Sequence, residues 1–149
     1  MIKKIYILLL GFLLFSCGVK TKFSYEEDVL KSFIDNDFLE TNKCVVIIPA
    51  YGCGACTQDI IKFSKENYKN NKVKFIFVDL DKPKKILFKD IIDFEKYILI
   101  DKKSELVGQG LVDNKPSVFF IKNNHIEDIV RFDDSISDKV IERIKDSIN

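Results

Sequence analysis

The stretch that most limits what this chain can fold into is Lys43–Pro49 (KCVVIIP), followed through Tyr51 and Gly52 by Cys53-Gly54-Ala55-Cys56. An apolar run so rich in β-branched residues reads as a strand buried on both faces, which requires helices above and below its sheet. After the dithiol, Ile60, Ile61, Ser64 and Tyr68 fall on one stripe, so a helix is expected from near Cys53 to about Lys69. A dithiol at this spacing has its first sulfur at the exposed N-terminus of that helix and its second one turn inside. Unpaired backbone amides and the positive end of the helix dipole there favour a thiolate over a thiol. Lowering a cysteine from about 8.5 to about 7 takes roughly 2 kcal/mol. A helix terminus contributes about 0.3–1 kcal/mol and at best about 2, so a further cation is expected to help.

The rest of the chain supplies layers for such a sheet. Ser24 and Glu27 form a capping-box pattern opening a helix that carries Val29, Leu30, Phe33, Ile34 and Phe38. Val73–Leu80 is a second strand, Lys84–Phe94 a short helix, and Tyr97–Asp101 a further extended stretch. Residues 102–115 read as a loop. Ser117–Ile121 and Ile126–Phe132 form an antiparallel hairpin around Lys122–His125. Ile136, Val140, Ile141, Ile144 and Ile148 mark a closing amphipathic helix capped by Ser135 or Ser137. This order implies an α/β sandwich around a mixed sheet.

The N-terminal segment stands apart from this pattern. Lys3 and Lys4 followed by the apolar run Ile5–Phe15 read as a secretory signal, with about half the length needed to span a bilayer. Its end, Leu14-Phe15-Ser16-Cys17, resembles a bacterial lipobox, although Phe15 stands where a smaller residue is usual. That resemblance implies a signal peptide over residues 1–16, lipidation of Cys17, a tether over 17–23 and one domain over 24–149. Acyl chains hold such a domain on a membrane, because each buried methylene contributes about 0.8 kcal/mol. Lysine plus arginine number 24 and aspartate plus glutamate 23, with the two signs interspersed. There is no basic stripe of the kind that binds nucleic acid.

With Cys53-Gly54-Ala55-Cys56 opening a helix after a buried strand, and Lys115-Pro116-Ser117 leading into the hairpin, the chain resembles the thioredoxin-like superfamily. The likeness is greatest to membrane-anchored thiol:disulfide oxidoreductases of the bacterial envelope. It covers roughly Lys43–Asn149 and implies a three-layer sandwich, a central mixed β-sheet flanked by helices. It also implies Cys53 as nucleophile, Cys56 as resolving thiol, and a cis Pro116 lying against the dithiol. Lys115 and Tyr51 would be its neighbours on the substrate side. Partners would be protein thiols or disulfides and a membrane electron donor, with no cofactor, and the domain would face the periplasm from its lipid anchor. The chain departs from the family in lacking Trp before the first cysteine and Pro between the two, and Ile47 stands where thioredoxin has a buried acid. Two other readings stand beside this one: an inert structural disulfide, and a thioredoxin-fold lipoprotein used only for binding.

Cys44 and the single histidine, His125, invite a metal site with the dithiol, but spacing opposes it. Five residues of strand separate Cys44 from Pro49 by roughly 17 Å. Cys44 is expected to be a core thiol, and His125 to be exposed in the hairpin turn at the far end.

Overall fold

The structure is a computed structural model that describes residues 21–35, 37–51, 54–80, 94–133 and 135–149; the side chains of 55, 56, 94 and 95 are outside that description. The signal segment, Cys17, most of the tether, Cys53 and the helix expected over Lys84–Phe94 therefore lie outside the described residues, except for Phe94 at that helix's end.

Strand β1 (Cys44–Pro49) has every residue buried because it is the centre of a five-stranded sheet. The strand order is β3-β2-β1-β4-β5, with β2 Val73–Val78, β3 Leu99–Asp101, β4 Ser117–Lys122 and β5 His125–Arg131. Strands β1, β2 and β3 run parallel, whereas β4 is antiparallel to both β1 and β5. Side chains alternate along β1, so Cys44, Val46 and Ile48 serve one core and Val45 and Ile47 the other. The first core is closed by helices α3 (Gly54–Asn67) and α6 (Ser137–Ile148) through Ile60, Phe63, Val140 and Ile144. The second is closed by α1 (Ser24–Phe33), the short helix α2 (Phe38–Thr41) and the helical turn α5 (Glu105–Gly108), through Leu30, Phe38 and Leu106. A further turn, α4 (Phe94–Tyr97), precedes β3. This is a thioredoxin-like α/β sandwich with a mixed sheet between two layers of helices, as the sequence led us to expect.

Several local expectations are corrected. Ser24 does not cap α1: Phe23 occupies the N-cap with no side-chain bond. Glu27 turns instead to the hairpin, where its Oε1 accepts the Ile126 N–H at 2.8 Å and the Thr21 hydroxyl at 3.2 Å, and its Oε2 meets His125 Nδ1 at 3.2 Å. Helix α1 ends at Phe33, and Phe38 opens α2. Neither Ser135 nor Ser137 caps α6, because their hydroxyls bond to Asp133 and Asp59. Within 102–115 the chain forms α5 rather than a continuous loop. The hairpin turn is local in origin: Asn123 and Asn124 hold φ of 51° and 64°, the two left-handed positions of a type I′ turn, which asparagine tolerates.

Glu27 carries a pH dependence. Burial would raise its carboxyl, but the Ile126 N–H, the His125 ring and the Thr21 hydroxyl outweigh burial and hold it below its ordinary value of 4.5. A depressed carboxyl stabilises the fold above its unfolded pKa, and that contribution is lost as pH falls through the folded value. Urea midpoints measured from pH 6 down to 3 are expected to fall for the wild type. For Glu27→Gln the curve should start about 1–2 kcal/mol lower at pH 6 and be flatter below pH 5. Parallel curves for the two proteins would refute this role.

Candidate functional site

The carboxyl end of β1 is where the candidate site is assembled. Continuing the parallel ladder, the Ala50 N–H donates to Val78 O at 2.9 Å, after which the chain leaves the sheet through the turn at Tyr51. Helix α3 begins at Gly54, and the backbone of Cys56 lies in its first turn. Cys53 and Gly52, immediately before it, are outside the described residues, as is the Cys56 side chain.

From the other side of the sheet, Ser117 pairs with Ile47 in the antiparallel β1–β4 ladder. Carrying that register one step further sets Pro116 beside Ile48, near the last residue of β1. Pro116 is buried, and its carbonyl accepts the Phe132 N–H at 2.8 Å. The Lys115–Pro116 bond is trans, since no peptide bond among the described residues is cis; the expected cis form is corrected to the isomer that X–Pro bonds favour. Lys115 is partly buried, and its N–H donates to Asp113 Oδ1 at 2.8 Å. Its ammonium also helps, after the Ser135 hydrogen bonds, to hold the Asp133 carboxyl below its usual range. The fold thus brings Tyr51, the first turn of α3, Lys115 and Pro116 to one edge of the sheet. This is the edge beyond the carboxyl ends of its parallel strands, where open α/β sheets bind ligands.

Tyr51 is 45% exposed, and its phenol is pushed above 10, first by partial burial and then by the charges of Asp79, Asp101 and Asp113. It therefore stays protonated and able to donate at neutral pH. Ile47 is fully buried, packed in the apolar core on the α1 side.

Three features of this edge went unread in the sequence. Asp101 ends β3 and is 2% exposed. Its Oδ1 accepts the N–H groups of Lys103 and Glu105 at 3.2 and 3.0 Å, and its Oδ2 that of Leu106 at 2.9 Å. It caps α5 from outside the helix, while Ser104, the formal N-cap, sits at φ 54° without a side-chain cap bond. An acid followed within four residues by Ser104-Glu105 was the available signal. The other two are the hydroxyls of Thr57 and Ser117, one after Cys56 and one after Pro116; among the described residues they are the buried side-chain polar atoms without a hydrogen-bond partner. No sequence pattern marks such a pair.

Cys44 lies at the other end of β1, fully buried and free, with its thiol pushed up to about 12 by burial. His125 is exposed in the hairpin beside Glu27, also away from the dithiol edge. Among the described residues no group of three His, Cys, Asp or Glu side chains could hold a metal ion.

Strand order and the position of α3 after the carboxyl end of β1 make the fold of this domain thioredoxin-like. No family model matches the chain, and no curated protein matches it in sequence. Solved structures similar to it include one described as a thiol:disulfide interchange protein, DsbE, from Chlorobium tepidum. That chain is 18% identical, with 76% of this chain and 84% of that one covered and a TM-score of 0.49. A cysteine-to-serine variant of PrxQ from Xylella fastidiosa is 13% identical over 74% of this chain and 80% of that one, with a TM-score of 0.40. AhpC from Mycobacterium tuberculosis is 15% identical over 71% and 73%, also with a TM-score of 0.40.

Proposed function

We propose that this chain is an envelope-anchored thiol-disulfide oxidoreductase that exchanges the Cys53/Cys56 dithiol with protein disulfides, acting as the reductant. The observation that carries this reading is the helix start: α3 begins at Gly54, immediately after Cys53 in the sequence, following a fully buried strand whose carboxyl end also has Pro116 at its edge. The amides of that first turn stabilise a thiolate, the only form of cysteine that attacks a disulfide.

In the proposed reaction the Cys53 thiolate attacks one sulfur of a substrate disulfide. The substrate S–S bond breaks, its other sulfur leaves as a thiolate and takes a proton, and a mixed disulfide joins Cys53 to the substrate. The Cys56 thiolate then attacks Cys53 sulfur and releases the second substrate thiolate. Two electrons have passed to the substrate, leaving a Cys53–Cys56 disulfide that a membrane electron donor reduces again. Direction depends on small differences in potential, since about 30 mV corresponds to 1.4 kcal/mol for the two-electron couple. With Ile47 in place of an acid, proton transfer in the resolving step falls to water or to another side chain. Anchoring is proposed from the sequence alone, through Cys17 after the signal segment; no helix among the described residues is long and apolar enough to cross a membrane.

Trapping tests the reading. Cys56→Ala is expected to leave Cys53 joined to substrate proteins as mixed disulfides that survive denaturing electrophoresis and disappear on reduction. Absence of adducts, with Cys53 alkylated no faster than an ordinary exposed thiol, would overturn it.

A further inference from the structure

We infer that the β4–β5 hairpin end of the domain is the surface that rests on lipid headgroups, so that the dithiol edge points away from the membrane. This rests on the proposed lipid anchor at Cys17 and deepens it by assigning the domain an orientation.

The attachment point follows from Glu27. Its carboxylate fixes Thr21, through the Thr21 hydroxyl at 3.2 Å, beside the first residues of β5, whose Ile126 N–H it accepts at 2.8 Å. Strand β5 starts at the Asn123–Asn124 turn, which also ends β4, and β4 begins at Ser117 next to Pro116. Hairpin turn and dithiol edge are therefore opposite ends of one strand. The central strand agrees: Cys44 at its start pairs with Phe120 near the turn, and Ile47 further along pairs with Ser117. Five residues of β4 put about 17 Å between the two ends.

Only Gly18, Val19 and Lys20 separate Cys17 from Thr21. Fully extended, those four steps reach at most about 14 Å. A lipidated Cys17 must enter the bilayer within that radius of Thr21, which favours the hairpin end, where Glu27 holds Thr21, over the far end of β4 about 17 Å along the strand. The hairpin end suits a headgroup surface. Lys22, Lys122, Asn123, Asn124 and His125 are all exposed there, offering cations and hydrogen-bond donors, with Lys122 sharing its charge with Glu127 at 3.1 Å. A dithiol held a strand's length above the headgroups receives electrons from a partner whose own thiols stand on an extramembrane segment rather than at the bilayer surface.

Hydrogen exchange of the mature lipidated protein tests this, comparing vesicles of phosphatidylethanolamine and phosphatidylglycerol with detergent solution. The expected result is slowing of roughly threefold or more at the amides of 122–126, with those of 50–51, 54–58, 113–115 and 117 unchanged. Inserting a flexible Gly/Ser segment of about 12 residues between Lys20 and Thr21 should abolish the slowing. Slowing at the dithiol edge, or at neither end, overturns the orientation while the anchor stands. An intact mass showing no lipid on the mature N-terminus removes anchor and orientation together.

Discussion

Asp101→Ala is expected to lower the unfolding free energy by about 3 kcal/mol, read as a shift in the urea midpoint at unchanged slope. One buried carboxylate accepts three backbone N–H groups, of Lys103, Glu105 and Leu106. Alanine would leave these donors without a protein partner, the Leu106 N–H in a buried setting. An unsatisfied buried donor costs about 1–3 kcal/mol, and the removed acceptor is charged. Leu106, Leu111 and Val112 are all buried in the core on the α1 side, so loosening α5 also disturbs the path by which the chain reaches Lys115 and Pro116. Asp101→Asn is the informative companion. It keeps the volume but presents an amide NH2 where one oxygen accepted, so it should recover little of the loss. An Asp101→Ala protein within about 0.5 kcal/mol of wild type would show that α5 holds itself together.

The second large effect concerns turnover. Cys53→Ser is expected to reduce the rate of insulin disulfide reduction by about 10³-fold or more, because a serine hydroxyl is not ionised at neutral pH and cannot form the mixed disulfide. Cys44→Ala should leave that rate unchanged. The Cys44 thiol, pushed up to about 12, is ionised to roughly one part in 10⁴ at pH 8 and is fully buried at the far end of β1. Iodoacetamide should accordingly label Cys44 only on unfolding. Turnover of Cys53→Ser within tenfold of wild type would make the Cys53/Cys56 pair a structural feature and return the domain to a binding role.

Local chemistry made some of the molecule legible in advance. The β-branched run of β1 identified a doubly covered strand, since no other arrangement buries both of its faces. The paired asparagines marked the hairpin turn because their left-handed conformation is a property of those residues. Ile60, Ile144 and Val140 announced core-facing helices by their spacing. The patterns that failed were those whose polar partner lies far away in the chain. Glu27 looked like the second half of a capping box, three residues after Ser24, yet its carboxylate is taken by Ile126, 99 residues on. Asp101 sat unremarked at the end of an apolar stretch because the N–H groups it accepts belong to a helical turn that exists only once Leu106 packs into the core.

The dithiol divides along the same line. The sequence led to the expectation that two cysteines open a helix after a buried strand, and the structure begins that helix at Gly54. The sequence also set the three-residue spacing between Cys17 and Thr21. Only the tertiary structure decided what gathers at that edge of the sheet: Pro116 and Ser117 brought beside the end of β1 by the antiparallel pairing of β4, Tyr51 exposed among carboxylates, and Cys44 and Glu27 sent to the other end. Periodicity and capping are short-range signals that a single segment carries. Which ends of which strands meet is set by sheet register, and register is a bargain between segments that no one of them encodes.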